Sequence, residues 1–355
     1  MKIAHLFPDN TTFPANFMHG LRKFGHQKSN IIFIYFKELP DKLKSFEDFD
    51  IRLVSSISQL KDDLKEMDRI VFHSLYPHYL RIIPRLSDKH LSWVFWGYEY
   101  YNYFETNLYE PKTKRLVPDR SILKKLAQPF RKFQLMRAMK HIDSFLFWDV
   151  SFFQQLKSKF QLKAKFEEFL YCRSFLDPID SEDEKSEIKN KLVCYVGNSG
   201  ELTGNQPDVY SVLAKTDGIE KVYSLLAYGK PNHIKIIEQS AIQQLGSLHV
   251  PIKEFVPFDE YLQTMNEVDI IICNHNRMQA LGLIFNAILL GKILILNPKN
   301  HFEKVLSSIG VKVYQLNDIP RLLNKNTSET RLSNKKALLD YFNPARLREY
   351  YSIFE

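Results

Sequence analysis

The stretch Tyr195-Val-Gly-Asn-Ser-Gly-Glu-Leu-Thr-Gly-Asn205 is an apolar strand that breaks into a loop of small residues and amides. A strand end carrying glycines and little side-chain bulk lets backbone N–H groups approach a phosphate or a sugar closely. Either the stretch opens a second domain built to meet a nucleotide-type ligand, or it is a plain Asn-Ser-Gly turn. The rest of the chain has to be read to choose.

With 355 residues, 45% hydrophobic and 25% charged, the chain is a folded protein long enough for two cores of roughly 150 to 200 residues. Three widely spaced cysteines, Cys172, Cys194 and Cys273, suggest neither a disulfide framework nor a zinc ribbon, and point to a reduced, cytoplasmic setting. The start, Met1-Lys-Ile-Ala-His-Leu-Phe-Pro8, reads as a first strand without a signal-peptide core, and no apolar run approaches the ~18 to 20 residues of a membrane span.

Strand-like segments alternate with helical ones, the pattern of parallel α/β sheets. In the first half they fall at 2–7, 30–36, 51–55, 69–73, 92–96 and 144–147, with a strand-like 166–171. In the second half they fall at 191–196, 221–227, 252–255, 269–273, 292–296 and 312–315. The polar run Asp177 to Asn190 marks a join near residue 185. This predicts two doubly wound domains, 1–185 and 186–325, and a helical segment 326–355 interrupted around Asn343-Pro344.

Between Lys112 and Lys140 ten Lys/Arg face one acid, Asp119, and the run from Ser121 to His141 has apolar residues at mixed helical spacing. That predicts a basic amphipathic helix, kinked near Pro129. It suits an anionic membrane surface, a core position with a solvated basic face, or nucleic acid; no recognition-helix, RNA-binding or zinc-finger signature supports the last.

In doubly wound domains ligands bind at the carboxyl ends of strands. Four second-half segments stand there. Gly197, Asn198 and Ser199 follow the first strand. The turn Tyr228-Gly-Lys-Pro-Asn232 follows the second, with Asn232 a ligand contact or a helix cap. Phe255 and Phe258 follow the third and offer a face to a base, while Asp259 can cap a helix and Tyr261 and Leu262 can pack inside. Asn274-His-Asn-Arg-Met-Gln-Ala-Leu-Gly282 follows the fourth, crowding polar groups beside a very apolar strand; Arg277 can grip a diphosphate and the amides near Gly282 add partial positive charge.

Val196-Gly-Asn-Ser-Gly200, Tyr228-Gly-x-Pro-Asn232, Phe258-Asp-x-Tyr-Leu262, and Arg277-x-Gln-x-x-Gly282 followed by Asn297-Pro together resemble the bacterial TDP-Fuc4NAc:lipid II Fuc4NAc transferases, glycosyltransferase family 56. Phe72-His73 near Pro77, Trp96-Gly97-x-Glu99-x-Tyr101 and Asp149-x-Ser-Phe-Phe153 match in the same order, so the resemblance covers about residues 1–320. Glu99 stands where the family pattern has Asp, a carboxylate on a longer arm.

The resemblance implies a GT-B glycosyltransferase, two Rossmann-like domains facing a central cleft. The donor, a dTDP-linked amino-deoxy sugar, belongs to the second domain and a polyprenyl-diphosphate-linked saccharide to the first. It implies enterobacterial common antigen-like polysaccharide biosynthesis by a peripheral protein on the cytoplasmic face of the inner membrane, docked through 112–141, with no nucleic acid partner. Donor binding falls to Gly197, Asn198, Ser199, Tyr228, Phe255, Phe258, Arg277, Gln279 and Gly282.

The acid-rich runs Asp62-Asp63 and Ser181-Glu-Asp-Glu184 lie in polar or linker segments, and a scheme without metal or cofactor is expected, in which Arg277, the helix start at Gly282 and the Asn198/Ser199 loop share the leaving-group charge. An inverting reaction needs a base, with Glu99, Asp9 and His73 as candidates, and Trp96, Tyr98 and Tyr101 as a surface for sugar rings. Rival readings are a GT-B enzyme with another nucleotide sugar and a capsule or lipopolysaccharide acceptor, or a non-enzymatic nucleotide- or nucleic-acid-binding protein.

Overall fold

The computed structural model describes the chain except residues 9–11, 37, 87, 106, 119–121, 172, 177–189, 257 and 324, and the side chains of 58, 122–126, 176, 258 and 259. Asp9, Cys172, the expected boundary at 185 and the Phe258 side chain lie outside it.

Two compact units form. The first comprises Met1–Glu105, Arg120–Asp177 and Phe342–Glu355, the second Thr106–Asp119 and Pro178–Tyr341. This division differs from the single cut expected near 185. Residues 107–118 fold with the second unit, and the last fourteen residues fold with the first, not with a separate C-terminal segment.

The first unit holds a seven-stranded parallel sheet of β1 (Ile3–Phe7), β2 (Asn30–Ile34), β3 (Asp50–Leu53), β4 (Arg69–His73), β5 (His90–Val94), β6 (Ser144–Phe147) and β7 (Lys165–Glu168), in the order β3-β2-β1-β4-β5-β6-β7. β1, β2 and β4 are buried throughout, as their near-continuous apolar runs require of strands covered on both faces. The helix Pro344–Ser352 packs on this unit after Asn343 accepts the Arg346 N–H as its N-cap. Its Tyr351 ring fills the space where a Cβ on Gly20 would stand.

The second unit holds β8 (Leu192–Val196), β9 (Ile219–Leu225), β10 (His249–Ile252), β11 (Ile270–Cys273) and β12 (Ile293–Leu296), all parallel, in the order β10-β9-β8-β11-β12. Its core gathers Val196, Val209, Tyr210, Val222, Ile237 and Ile272.

Two strand expectations are corrected. The strand placed at 252–255 runs three residues earlier, over His249–Ile252, because it is an edge strand whose register pairs Pro251 with Ser224; an edge tolerates a proline that lacks an N–H. The strand placed at 312–315 reduces to one bridge, Tyr314 to Ile295. The helix Ile122–Met139 carries Pro129 inside it, and no helix among the described residues is long and apolar enough to cross a membrane.

Candidate active site

In the second unit, register places three loops side by side. β8 pairs with β11 and β11 with β12, so Gly197, Asn274 and Asn297 leave adjacent strand ends. The Gly197 N–H still donates to the Ile272 carbonyl at 2.9 Å, after which its φ of +75° turns the chain away from the sheet. Next to it the Gly200 N–H donates to the Tyr228 carbonyl at 2.7 Å. There a Cβ on Gly229 would lie 2.7 Å from the Gly200 carbonyl carbon, so the first and second crevice loops cross backbone on backbone.

These loops carry a connected polar network. Arg277 Nε donates to Gln279 Oε1 at 2.8 Å, and Arg277 Nη2 reaches Thr203 Oγ1 at 3.3 Å. That fixes the Gln279 amide, whose Nε2 donates to Asn198 Oδ1 at 3.1 Å. Asn198 Oδ1 therefore accepts a second bond, from His275 Nε2 at 3.0 Å. His275 is fully buried, and burial, aided by the Arg277 charge, lowers its pKa to about 3. It is a neutral Nε2–H imidazole. Two neutral groups thus orient the Arg277 guanidinium, and the helix Leu281–Leu289 starts nearby with Ala280 as an N-cap that makes no side-chain capping bond. A Cβ on Gly282, in the first turn, would meet nothing within 4 Å. Oriented cation and helix amides together suit an anion.

A segment from the first half of the sequence braces this network. Asn205 Nδ2 donates to the carbonyls of Leu108 and Asn274, Asn276 Nδ2 donates to the Asn107 carbonyl, and the Glu110 N–H donates to Asn205 Oδ1. Asp208 accepts from the backbone of Lys112 and Thr113 and from the Thr113 hydroxyl, closing the start of the helix Pro111–Leu116. Glu110 also meets Lys299 at 2.6 Å. Sequence reading missed Thr203, Asn205 and Glu110. Only the loop amides and the Pro111 helix start signal them.

Other expected donor residues are placed differently. Ser199 is buried and its carbonyl accepts from Gln206 Nε2. Tyr228 is exposed beside Gly200. Phe255 is 91% exposed, in the loop left free by the earlier end of β10. Lys230, not Asn232, holds the cap position of the helix Pro231–Leu245, and its N–H donates to Glu201.

In the first unit the ends of β4 and β5 bring the acceptor candidates together. Gly97, with φ +87°, starts the helix Tyr98–Phe104. Glu99 Oε1 accepts from the Trp93 indole at 2.8 Å and from the Trp96 N–H at 3.3 Å. Burial raises its pKa, partly offset by those N–H bonds. Glu99 Oε2 and Ser74 Oγ are both buried without a partner of good geometry, although the hydroxyl is near enough to favour the ionised carboxyl. Ser74 is held at φ +77°, a conformation costly for a residue with a side chain.

Tyr98, 47% exposed, stacks on Tyr76 with centroids 5.5 Å apart. Tyr101 is buried edge-on to Tyr100, so its ring is spent on packing. His73 is fully buried with both ring nitrogens engaged. Asp149 caps the helix Val150–Phe160 by accepting the Ser151 N–H.

The model of the 4-alpha-L-fucosyltransferase family, glycosyl transferase group 56, matches residues 42–354. The chain belongs to glycosyltransferase family 56. Its fold is shared with HepE of Anabaena in complex with UDP-glucose (TM-score 0.67, 11% identity, 99% of this chain and 98% of that one). It is shared too with sucrose-phosphate synthase from Thermosynechococcus elongatus (0.68, 9%, 98% and 96%). WaaG, a glycosyltransferase involved in lipopolysaccharide biosynthesis, is similar at 0.60 and 11%, with 99% and 97% covered. The family 56 protein therefore has the GT-B fold and is a glycosyltransferase.

Proposed function

We propose that the enzyme transfers a deoxyamino sugar, by family resemblance Fuc4NAc from dTDP-Fuc4NAc, to a saccharide carried on a polyprenyl diphosphate. The observation that supports this most directly is Arg277, oriented by Gln279 and Thr203 beside the start of the helix Leu281–Leu289. Breaking the glycosidic bond places negative charge on the nucleoside diphosphate, and donors fixed in advance stabilise it without reorganising. Among the described residues no group of three His, Cys, Asp or Glu could hold a metal ion. In this reading the charge falls to Arg277, the helix amides and the Asn198/Ser199 loop, and transfer continues in EDTA.

On the first unit, Glu99 is assigned as the base that takes the acceptor hydroxyl proton. Its raised pKa brings it closer to the range useful at neutral pH. Trp96 and the exposed Tyr98 receive the sugar ring. HepE, solved with UDP-glucose, and WaaG, involved in lipopolysaccharide biosynthesis, share the fold and support a nucleotide-sugar enzyme.

The helix Ile122–Met139 supports docking on an anionic surface at the cytoplasmic face of the inner membrane. It buries Leu135, Ala138 and Met139, and exposes Phe130, Phe133 and Met136 among the exposed Arg131, Lys132, Arg137 and Lys140. Exposed apolar residues amid cations suit the headgroup boundary of a membrane.

The test is transfer with dTDP-, UDP- and GDP-linked sugars at equal concentration, using a short-chain polyprenyl-diphosphate disaccharide as acceptor. Preference for dTDP-Fuc4NAc is expected; turnover of UDP-glucose in its place would sink the donor assignment.

A further inference from the structure

A hydrogen-bonded chain runs through the core of the first unit from the C-terminal segment to the sugar-facing aromatic residues. Asn30 Nδ2 donates to the carbonyls of Phe354, at 3.0 Å, and His26. Two carbonyl acceptors fix that amide, so Asn30 Oδ1 is the acceptor that His5 Nε2 meets at 2.7 Å. His5 Nε2 therefore carries the hydrogen, and its Nδ1 accepts from His73 Nε2 at 3.1 Å. His73 Nδ1 in turn accepts from the Tyr171 hydroxyl. The Tyr171 oxygen then accepts from the Trp96 indole N–H at 3.0 Å.

The direction of this chain is forced. An indole N–H can only donate and a backbone carbonyl can only accept, so every group between them has one permitted tautomer or rotamer. Both imidazoles are neutral, held so by burial, with the Arg69 charge acting further on His5 and His5 on His73. Packing restricts them too. The Phe7 ring stacks on His73 with centroids 3.8 Å apart, and Phe17 lies 4.5 Å from His5. Trp96 is gripped at both ends, its indole by Tyr171 and its backbone N–H by Glu99, while Phe13 rests against the ring at 4.2 Å.

We propose that Asn30, His5, His73 and Tyr171 are positioning residues that fix the Trp96 indole in one orientation for the acceptor sugar, so that acceptor affinity reads the state of this chain. The proposal rests on the acceptor reading of Trp96 given above. It moves His73 from candidate base to the middle of a relay whose nitrogens are both committed. A chain with no ionised member fixes geometry at little electrostatic cost, which suits orienting a ring for stacking.

The test is a double-mutant cycle on Tyr171→Phe and Trp96→Phe, with KM measured separately for the polyprenyl-diphosphate disaccharide and for dTDP-Fuc4NAc, and Tm alongside. Removing the hydroxyl orphans the indole N–H, and about a ten-fold rise in acceptor KM is expected with donor KM unchanged. In the Trp96→Phe background the same change should add nothing, the mark of a residue acting through another. His73→Asn, which keeps an acceptor where Nδ1 stood, should restore more acceptor affinity than His73→Gln, which does not. Additive effects of Tyr171→Phe and Trp96→Phe, or a Tyr171→Phe enzyme with wild-type acceptor KM while Trp96→Phe raises it, overturn the relay and leave the acceptor reading standing. A Trp96→Phe enzyme with unchanged acceptor KM overturns both.

Discussion

Glu99 has one oxygen bound to two N–H groups and the other facing Ser74, so its negative charge is tolerated only because its partners stand ready for it. Glu99→Gln preserves an acceptor for Trp93 and Trp96 and removes the charge. We expect kcat to fall by about 100-fold or more with dTDP affinity by calorimetry unchanged; a wild-type rate would remove Glu99 from the chemistry. Arg277 makes the complementary case on the donor side. Arg277→Ala should lower kcat by about 100- to 1,000-fold, and Arg277→Lys should recover part of it, since the charge returns without the planar fork. An Arg277→Ala enzyme with unimpaired single-turnover transfer would refute the charge assignment. Arg277 and Gln279 were legible because polar residues beside so apolar a strand as Ile270–Cys273 need a use. That Glu99 would be enclosed was not legible, since its second oxygen is closed off by Ser74, which arrives from the end of the neighbouring strand β4.

At the level of elements, the sequence located β1 to β9, β11 and β12 to within a few residues, and inner strands such as β1, β4, β8 and β11 stood out because strands covered on both faces must be apolar along their length. It misplaced β10, whose four residues His249–Ile252 include a proline and carry no apolar run to mark them. It also could not reveal that residues 107–113 serve the second unit, as their partners Asn205 and Asp208 lie more than 90 residues away. The loop crossing at Gly200 and Gly229 has its own prediction. Gly229→Ala places a Cβ against backbone that cannot yield, and Tm should drop by about 5 °C or more; an unchanged melting curve would mean the loops can part. For the helix Ile122–Met139, replacing Phe130 and Phe133 with Ser should release the enzyme from vesicles containing anionic phospholipid in flotation assays, without altering turnover of a detergent-solubilised acceptor. Retention of the variant on vesicles would show that these rings do not insert.

For the whole molecule, the buried histidines set the response to acid. His5 and His275 have pKa values lowered to about 3, His78 to about 4, and His73 well below its ordinary value, burial being the main cause in each. The unfolded chain takes up these protons near pH 6.5 while the folded chain refuses them, so stability falls as pH drops from about 6.5 toward 3 and is flat in these groups above that window. Glu99, with a raised pKa, runs the other way, and four histidines outweigh it. Tm measured from pH 8 to pH 5 should hold and then decline; a rise on acidification would contradict the neutral assignments. The interleaved division of the chain also has a consequence for synthesis. Thr113 waits 95 residues for Asp208, whereas Asn30 waits 324 residues for the Phe354 carbonyl. At the ~5–20 residues per second of translation, the brace on the donor loops can close many seconds before the relay behind Trp96 does. The unit that leaves the ribosome first is thus the last to be finished.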